Sequence, residues 1–286
     1  MQSHSLHSDG DLPAADVVAL AAAAEVELFS LTDHDTIDGV LEALDAGRRH
    51  RLRVVSGVEL TALRDERDEL HLLGYAFDPA DPGLAERLAA YRSDRELRAE
   101  RMAARLEDAG LALDRTEIEV RRARDKPIGR PHLAAAALAA EPNAARLEAE
   151  GIDDVGGFIE AYLVPGAVGW LPRLSPTVKD AIAAIHAAGG VAVWAHPYFE
   201  LDDPDLVLSE VDRLDAAGLD GVECFYPTHT AAQVEALCDR CEALGLMRTG
   251  SSDFHGPHRP GADRFRAFEL HGRAPELGIL PLPPSY

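Results

Sequence analysis

No apolar run in this 286-residue chain approaches the roughly eighteen residues that a membrane span requires, so no bilayer crossing is expected. Three cysteines are too few for a disulfide framework. The opening Met1-Gln2-Ser3-His4 lacks the basic start and apolar core of a secretory signal. A reducing cytoplasm is therefore the expected location. Positive charge is scarce: 28 Lys and Arg face 50 Asp and Glu, a formal net charge of −22. Such a chain repels a polyanion, which argues against duplex DNA as a partner. It leaves room for a small phosphorylated substrate, because divalent cations held in a site reverse the local field. No Walker or dinucleotide glycine motif occurs, and Gly250-Ser251-Ser252 lacks the Gly-x-Ser-x-Gly pattern of a nucleophile elbow. Nothing calls for a membrane or an obligate protein partner.

Hydrophobic residues make up 47% of the chain and charged residues 27%, the balance of a globular protein with a core. Helical and strand-like patterns alternate at first. Pro13 to Ala24 and Thr36 to His50 read as amphipathic helices, while 26–31, 52–60 and 70–77 read as strands. Pro79, Pro82 and Gly83 then interrupt the pattern, and a long charged helix is expected from about Leu84 to Ala109. Between Arg92 and His132 eleven Lys and Arg meet nine Asp and Glu, so nearly all the net acidity lies elsewhere. Alternation resumes with helices at 178–188, 206–217 and 231–244 and strands at 190–195, 221–225 and 246–250. This is the pattern of parallel βα units, a discontinuous barrel interrupted by a mainly helical insertion over 79–175. Pro281, Pro283 and Pro284 mark an irregular end.

The informative polar residues stand at the strand ends. Thr32-Asp33-His34-Asp35 comes directly after the first strand, and Gly57-Val58-Glu59 and Leu70-His71-Leu72-Leu73-Gly74 lie in the next two. Ala195-His196-Pro197 and Ser252-Asp253-Phe254-His255 succeed later strands, and His4 and Asp9 stand near the start. Strand ends and βα loops of a parallel barrel converge on one face. Imidazole and carboxylate groups gathered there are ligands for zinc, manganese or iron, and the absence of cysteine leans away from a structural zinc site. Each residue alone has a plainer explanation: Asp9 can form a turn with Gly10, and Asp35 can cap a helix. Five strand ends that all deliver ligand-type groups are harder to explain that way.

The ordered series Ser8-Asp9-Gly10, Thr32-Asp33-His34, Gly57-Val58-Glu59, His71-Leu72-Leu73-Gly74, Ala195-His196-Pro197 and Ser252-Asp253-Phe254-His255 resembles the PHP (polymerase and histidinol phosphatase) family from end to end. The resemblance implies an α/β fold, a distorted (β/α)7 PHP barrel of residues 1–78 and 176–286 with a helical substrate cap of 79–175. It also implies two or three divalent cations, manganese first and zinc or iron otherwise. One cation would be held by His4, Glu59 and Asp253, a second by Glu59 as a bridge with His71 and His196, and a third by Asp9, His34 and His255. Gln2 stands where the family has the first His of His-x-His, and an amide oxygen is a weaker ligand than imidazole. The chain also begins where the first barrel strand should be ending.

Within that family the chain is most similar to phosphatases acting on 3′,5′-nucleotide bisphosphates, some of which also trim short 5′-phosphorylated RNA. The carrying residues are Arg130 and His132 in Gly129-Arg130-Pro131-His132, and His229 in Tyr226-Pro227-Thr228-His229. Arg130 offers bidentate phosphate recognition, and His132 and His229 are expected donors to phosphate oxygens. His229, Asp253 and His255 are the candidate catalytic residues, with His229 or a bound water as the source of the leaving-group proton. Asp33 is a candidate acceptor for a ligand imidazole, and Glu223 a structural acid. Cys238-Asp239-Arg240-Cys241 sits in a helical pattern without a second cysteine pair and reads as buried or half-exposed thiols. Three alternatives stay open: a histidinol-phosphate-type phosphatase, a metal-dependent amide or ester hydrolase, and a non-catalytic metal-binding module.

Overall fold

The computed structural model describes residues 1–64, 69–123, 128–172, 176–278 and 280; the prolines at 281, 283 and 284 lie outside them. Helix α1 (Ala14–Ala23) precedes strand β1 (Leu28–Ser30), and α2 (Val40–His50) precedes β2 (Arg53–Val55), which pairs with β1 in parallel. Strands β3 (Gly57–Leu63) and β4 (Glu69–Tyr75) come next. The chain then becomes helical through α3 (Pro82–Asp108), α4 (Thr116–Ala123), α5 (Arg130–Ala139), α6 (Ala144–Glu150) and α7 (Val155–Tyr162). Alternation returns with α8 (Val178–Ala187), β5 (Val191–Trp194), the short α9 (Pro197–Glu200), α10 (Pro204–Ala216), β6 (Gly221–Phe225), α11 (Ala231–Leu244) and β7 (Met247–Gly250).

Local chemistry sets these boundaries. Thr177 and Thr230 open α8 and α11, each accepting from the amide three residues on (Asp180, Gln233) while that residue's side chain accepts in return. Asp203 caps α10 by accepting from Asp205 N and Leu206 N. Gly245 closes α11 in the left-handed region at φ 74°.

The second sheet runs β3-β4-β5-β6-β7. Its parallel part, β5-β6-β7, matches the βα reading, but β4 is antiparallel to both β3 and β5. The expectation of parallel units throughout is corrected here. Leu63 and Glu69 are too close in sequence for the crossover that a parallel return demands, and a hairpin is what so short a connection permits. The single strand expected over 52–60 also divides at Ser56, whose hydroxyl donates to Phe77 O. Gly57 comes next because a Cβ there would lie 2.0 Å from Ser30 Oγ and 2.6 Å from Leu31 O. The second helix begins at Val40 rather than Thr36.

The described residues form two compact units, one within Met1–Arg64, Asp68–Leu88 and Pro176–Tyr286, the other within Ala89–Ser175. In the first, Val17, Val18 and Ala21 of α1 and Ala43 and Ala46 of α2 bury against Phe29 and Val54. A further cluster joins Leu73, Tyr75, Val193 and Met247 across the sheet. Each large side chain so buried contributes about 1.5–3 kcal/mol. The second unit has its own core of Met102, Leu106, Ile118, Leu133, Leu147, Phe158 and Tyr162. No helix among the described residues is long and apolar enough to cross a membrane.

Candidate metal centre

The N-terminal segment closes the ring of strands. Ser3 pairs in parallel with Phe254 just beyond β7, His4 N donates to Phe254 O (2.8 Å), and Thr32 N beyond β1 donates to Ser3 O (2.8 Å). His4 is thereby set between two strand ends. Asp33 fixes the following loop by accepting from Ser5 N (2.7 Å), Ser5 Oγ (2.7 Å) and Ser8 Oγ (2.6 Å). It serves hydroxyls and an amide, not the ligand imidazole expected of it. Asp35 caps no helix and instead accepts from Thr61 N (3.1 Å). Asp9 does precede a turn glycine: a Cβ on Gly10 would lie 2.4 Å from His4 O.

His34 and Glu59 form a parallel bridge. His71 lies near the start of β4, and the reversal of that strand brings its beginning beside the C-terminal end of β5, where Ala195 N donates to His71 O (3.0 Å). His196 and Asp253 occupy the left-handed region, at φ 29° and 50°. Such conformations cost about 1–3 kcal/mol in a residue with a side chain and persist where the surroundings over-determine them. Here Glu223 Oε2 accepts from His196 N (3.1 Å), Ser251 Oγ from Asp253 N (3.2 Å), and Tyr226 OH donates to Asp253 Oδ2 (3.1 Å).

Glu59, fully buried, stands at the middle. Its Oε2 lies 3.0 Å from His4 Nε2 and 3.8 Å from His34 Nδ1, and its Oε1 lies 3.2 Å from His71 Nδ1 and 3.3 Å from His196 Nε2. Asp253 Oδ1 is 3.1 Å from His4 Nε2 and 3.6 Å from His255 Nδ1. Asp9 Oδ2 is 3.5 Å from His255 Nε2 and 3.9 Å from His34 Nε2. The ligand atoms of four sets lie within 4.8 Å of one another: His4, Glu59 and Asp253; His4, Asp9, His34 and His255; His34, Glu59 and His71; and His71, His196 and Glu200. Glu200 was not anticipated. Its one sequence signal is its spacing of four residues from His196, which a short helix places on the same side.

The donor set fits divalent cations on a specific ground. His4 Nε2, His34 Nδ1, His71 Nδ1 and Asp253 Oδ1 are buried without a hydrogen-bond partner, although oxygens lie 3–4 Å from the ring nitrogens. An unsatisfied buried polar atom costs about 1–3 kcal/mol, so four in one place require a compensating partner. Burial raises the Glu59 carboxyl, yet the surrounding imidazoles outweigh it and hold the group well below the carboxylate range. Asp9 is lowered by the same balance, chiefly by His255 and His4. Burial lowers His4 and His196, but Asp253 and Glu59 raise His4 well above its ordinary value and Glu59 brings His196 to about 9. Without cations His4 and His196 hold protons, whereas burial lowers His71 to about 3; cations and protons compete for the same ring nitrogens.

Gln2 reaches the centre with the other end of its amide. Its Nε2 donates to Glu59 Oε2 (2.8 Å), and its Oε1 turns to Ser251 Oγ (3.4 Å). In this arrangement Gln2 supplies a donor to the central carboxylate. His229 departs from its expected donor role. Its Nδ1–H donates to Cys224 O (3.0 Å), burial lowers its pKa to about 4, and the buried Nε2 is left as an acceptor lone pair. In the second unit, His132 Nδ1 accepts from Gly129 N (3.0 Å) at the start of α5, so its neutral ring keeps Nε2–H as a donor; burial, then Arg121 and Arg95, lower its pKa to about 4. Arg130 is the first residue of that helix and is half-buried. Cys238 and Cys241 of α11 are buried free thiols, as the helical reading implied, and so is Cys224 of β6.

No protein-family model matches the chain. Curated relatives do. A 3′,5′-nucleoside bisphosphate phosphatase of Chromobacterium violaceum is 33% identical over 91% of this chain and 88% of its own length. A phosphoribosyl 1,2-cyclic phosphate 1,2-diphosphodiesterase of Eggerthella lenta is 31% identical over 88% and 92%. A 5′-3′ exoribonuclease of Haemophilus influenzae is 29% identical over 90% and 89%. A solved structure from Bifidobacterium adolescentis, classed as a metal-dependent phosphoesterase, superposes with a TM-score of 0.67 at 28% identity, covering 91% of this chain and 88% of that one.

Proposed function

Because this chain belongs to the PHP family of metal-dependent phosphoesterases, we propose that it removes the 3′-phosphate from 3′,5′-nucleotide bisphosphates, converting adenosine 3′,5′-bisphosphate to AMP. The observation that carries phosphoester chemistry is the convergence of orphaned lone pairs around Glu59. The choice of a bisphosphate rests on the 33% identical phosphatase. Phe199 adds support for a nucleoside substrate: it is 67% exposed, and its ring lies 5.4 Å from that of His196 and 6.3 Å from that of Tyr226. An exposed aromatic face beside a metal ligand suits a stacked base better than an aliphatic phosphate ester.

His4, Glu59 and Asp253 would hold one cation, Glu59, His71 and His196 a second, and Asp9, His34 and His255 a third. Manganese is the expected ion and zinc or iron the alternatives, since the ligands are imidazole and carboxylate without thiolate. Cations held there lower the pKa of an adjacent water and neutralise charge developing on the phosphoryl oxygens. The remaining work falls to the chain. Asp253 is oriented by Tyr226, and His196 by Glu223. His229 Nε2 accepts a hydrogen bond from a substrate hydroxyl or water. Arg130 and the Nε2–H of His132 are the groups assigned to the second phosphate. The partner is a small phosphorylated molecule and the setting a reducing cytoplasm.

A hydrolysis screen of the manganese-loaded protein over adenosine 3′,5′-bisphosphate, histidinol phosphate, a 1,2-cyclic phosphoribosyl ester and a short 5′-phosphorylated RNA tests this. The largest kcat/KM is expected for the bisphosphate. A larger value for any other substrate overturns the assignment, and a larger value for the RNA would make trimming the principal activity.

A further inference from the structure

We infer that Glu200 is a positioning residue for the cation site formed by His71 and His196, an inference that rests on the metal-dependent reading above. Glu200 ends α9, and its side chain is 10% exposed. Two bonds fix its carboxylate: Oε2 accepts from the indole of Trp194 (Nε1, 2.9 Å), and Oε1 accepts from the backbone N–H of His71 (2.8 Å). Each carboxylate oxygen has a second lone pair. The free side of Oε1 faces two ring nitrogens, His71 Nδ1 at 3.4 Å and His196 Nδ1 at 3.9 Å, and both are buried without a hydrogen-bond partner.

The consequence lies in the tautomers. A neutral imidazole carries one ring proton, so His196 can offer the Nε2 lone pair toward the Glu59 side only if its proton is on Nδ1. A carboxylate beside Nδ1 selects that form and orients the ring, the arrangement found behind many metal-ligating histidines. Glu200 acts on His71 by another route, through the main chain. Its grip on the His71 N–H sets how far that residue stands along β4 relative to His196 across the β4-β5 pair. One side chain therefore aligns two ligands from different strands. Trp194, just before the Ala195-His196-Pro197 motif, completes the clamp.

The test measures cation affinity rather than turnover. Purified protein is stripped, reloaded with manganese, and titrated against a chelator while bound metal is counted. Glu200→Ala should weaken one cation about ten- to a hundred-fold, the range for losing such a partner, and leave the others at their wild-type affinity. Glu200→Gln keeps one acceptor oxygen and should retain more affinity than Glu200→Ala. Unchanged affinity in both variants, or an equal loss at every cation, overturns the inference. Should Glu200→Ala fail to fold, Trp194→Phe frees the carboxylate while keeping an aromatic ring. It is expected to weaken the same single cation, and unchanged affinity there counts against Glu200 equally. If the wild-type protein itself binds no manganese, the metal-dependent reading fails instead, so the two failures are distinguishable.

Discussion

The two units treat their buried polar groups in opposite ways. In the helical unit, Asn143 is buried with its amide used three times: Oδ1 accepts from Ala112 N (2.9 Å), and Nδ2 donates to Ala112 O (2.8 Å) and Ala137 O (2.7 Å). Its charges are matched, Arg115 with Glu100 and Glu107, Arg122 with Glu100, and Arg146 with Glu150. Asp94 Oδ2 is the single buried side-chain atom there left without a partner among the described residues. The barrel unit holds the other such atoms among the described residues, and those on His4, His34, His71, His196 and Asp253 lie together at one centre. Good packing satisfies polar groups by default. A fold that withholds satisfaction from so many in one place has reserved them for something outside the chain.

The sharpest way to break that contrast is at Glu59. Glu59→Gln keeps the shape but removes the charge that faces four imidazoles. Loss of several kcal/mol of charge stabilisation should lower kcat on the order of a thousand-fold. Thermal melting of the metal-free variant should fall as well, because His4 and His196 lose the charge that compensates their buried imidazolium forms. Near-normal turnover at saturating manganese would show that the centre does not depend on a shared carboxylate. A smaller effect is expected at Arg130. Arg130→Ala should reduce kcat/KM for adenosine 3′,5′-bisphosphate about ten- to a hundred-fold, the worth of one charge-assisted hydrogen bond, and hardly alter that for an aryl phosphate. Equal losses on both substrates would assign Arg130 to the fold of its unit. The smallest effect belongs to the matched charges. Arg146→Ala breaks an exposed i,i+4 pair and should cost no more than about 1 kcal/mol in urea denaturation, with metal content unchanged. A larger loss would mean that the helical unit, too, carries strained polar contacts.

Much of the centre is legible in the sequence because a strand end is a marked position. Thr32-Asp33-His34 and Ala195-His196-Pro197 each come after an apolar run, and one rule about barrel faces gathers them. What escapes depends on which atom of a side chain points where. Gln2 occupies the expected place, with its Nε2 on Glu59 and its Oε1 toward Ser251, an orientation that sequence does not set. Asp33 turns to Ser5 and Ser8 instead of an imidazole. Glu200 stands outside the strand-end pattern, and its role arises only once β4 has reversed to put His71 beside β5. The antiparallel pairing of β3 and β4 is a property that hydrophobic periodicity alone does not distinguish from parallel pairing.

The ring of strands is closed by its first and last pieces, and this orders events in time. His4 and Asp253 share one cation set with Glu59 and are separated by nearly the whole chain. A nascent polypeptide short of Asp253 can pack α1 against α2 and pair β3 with β4, but that set does not yet exist. Pairings this distant in sequence form late. A cation held by that set would therefore be loaded after synthesis, once both ends of the barrel have met.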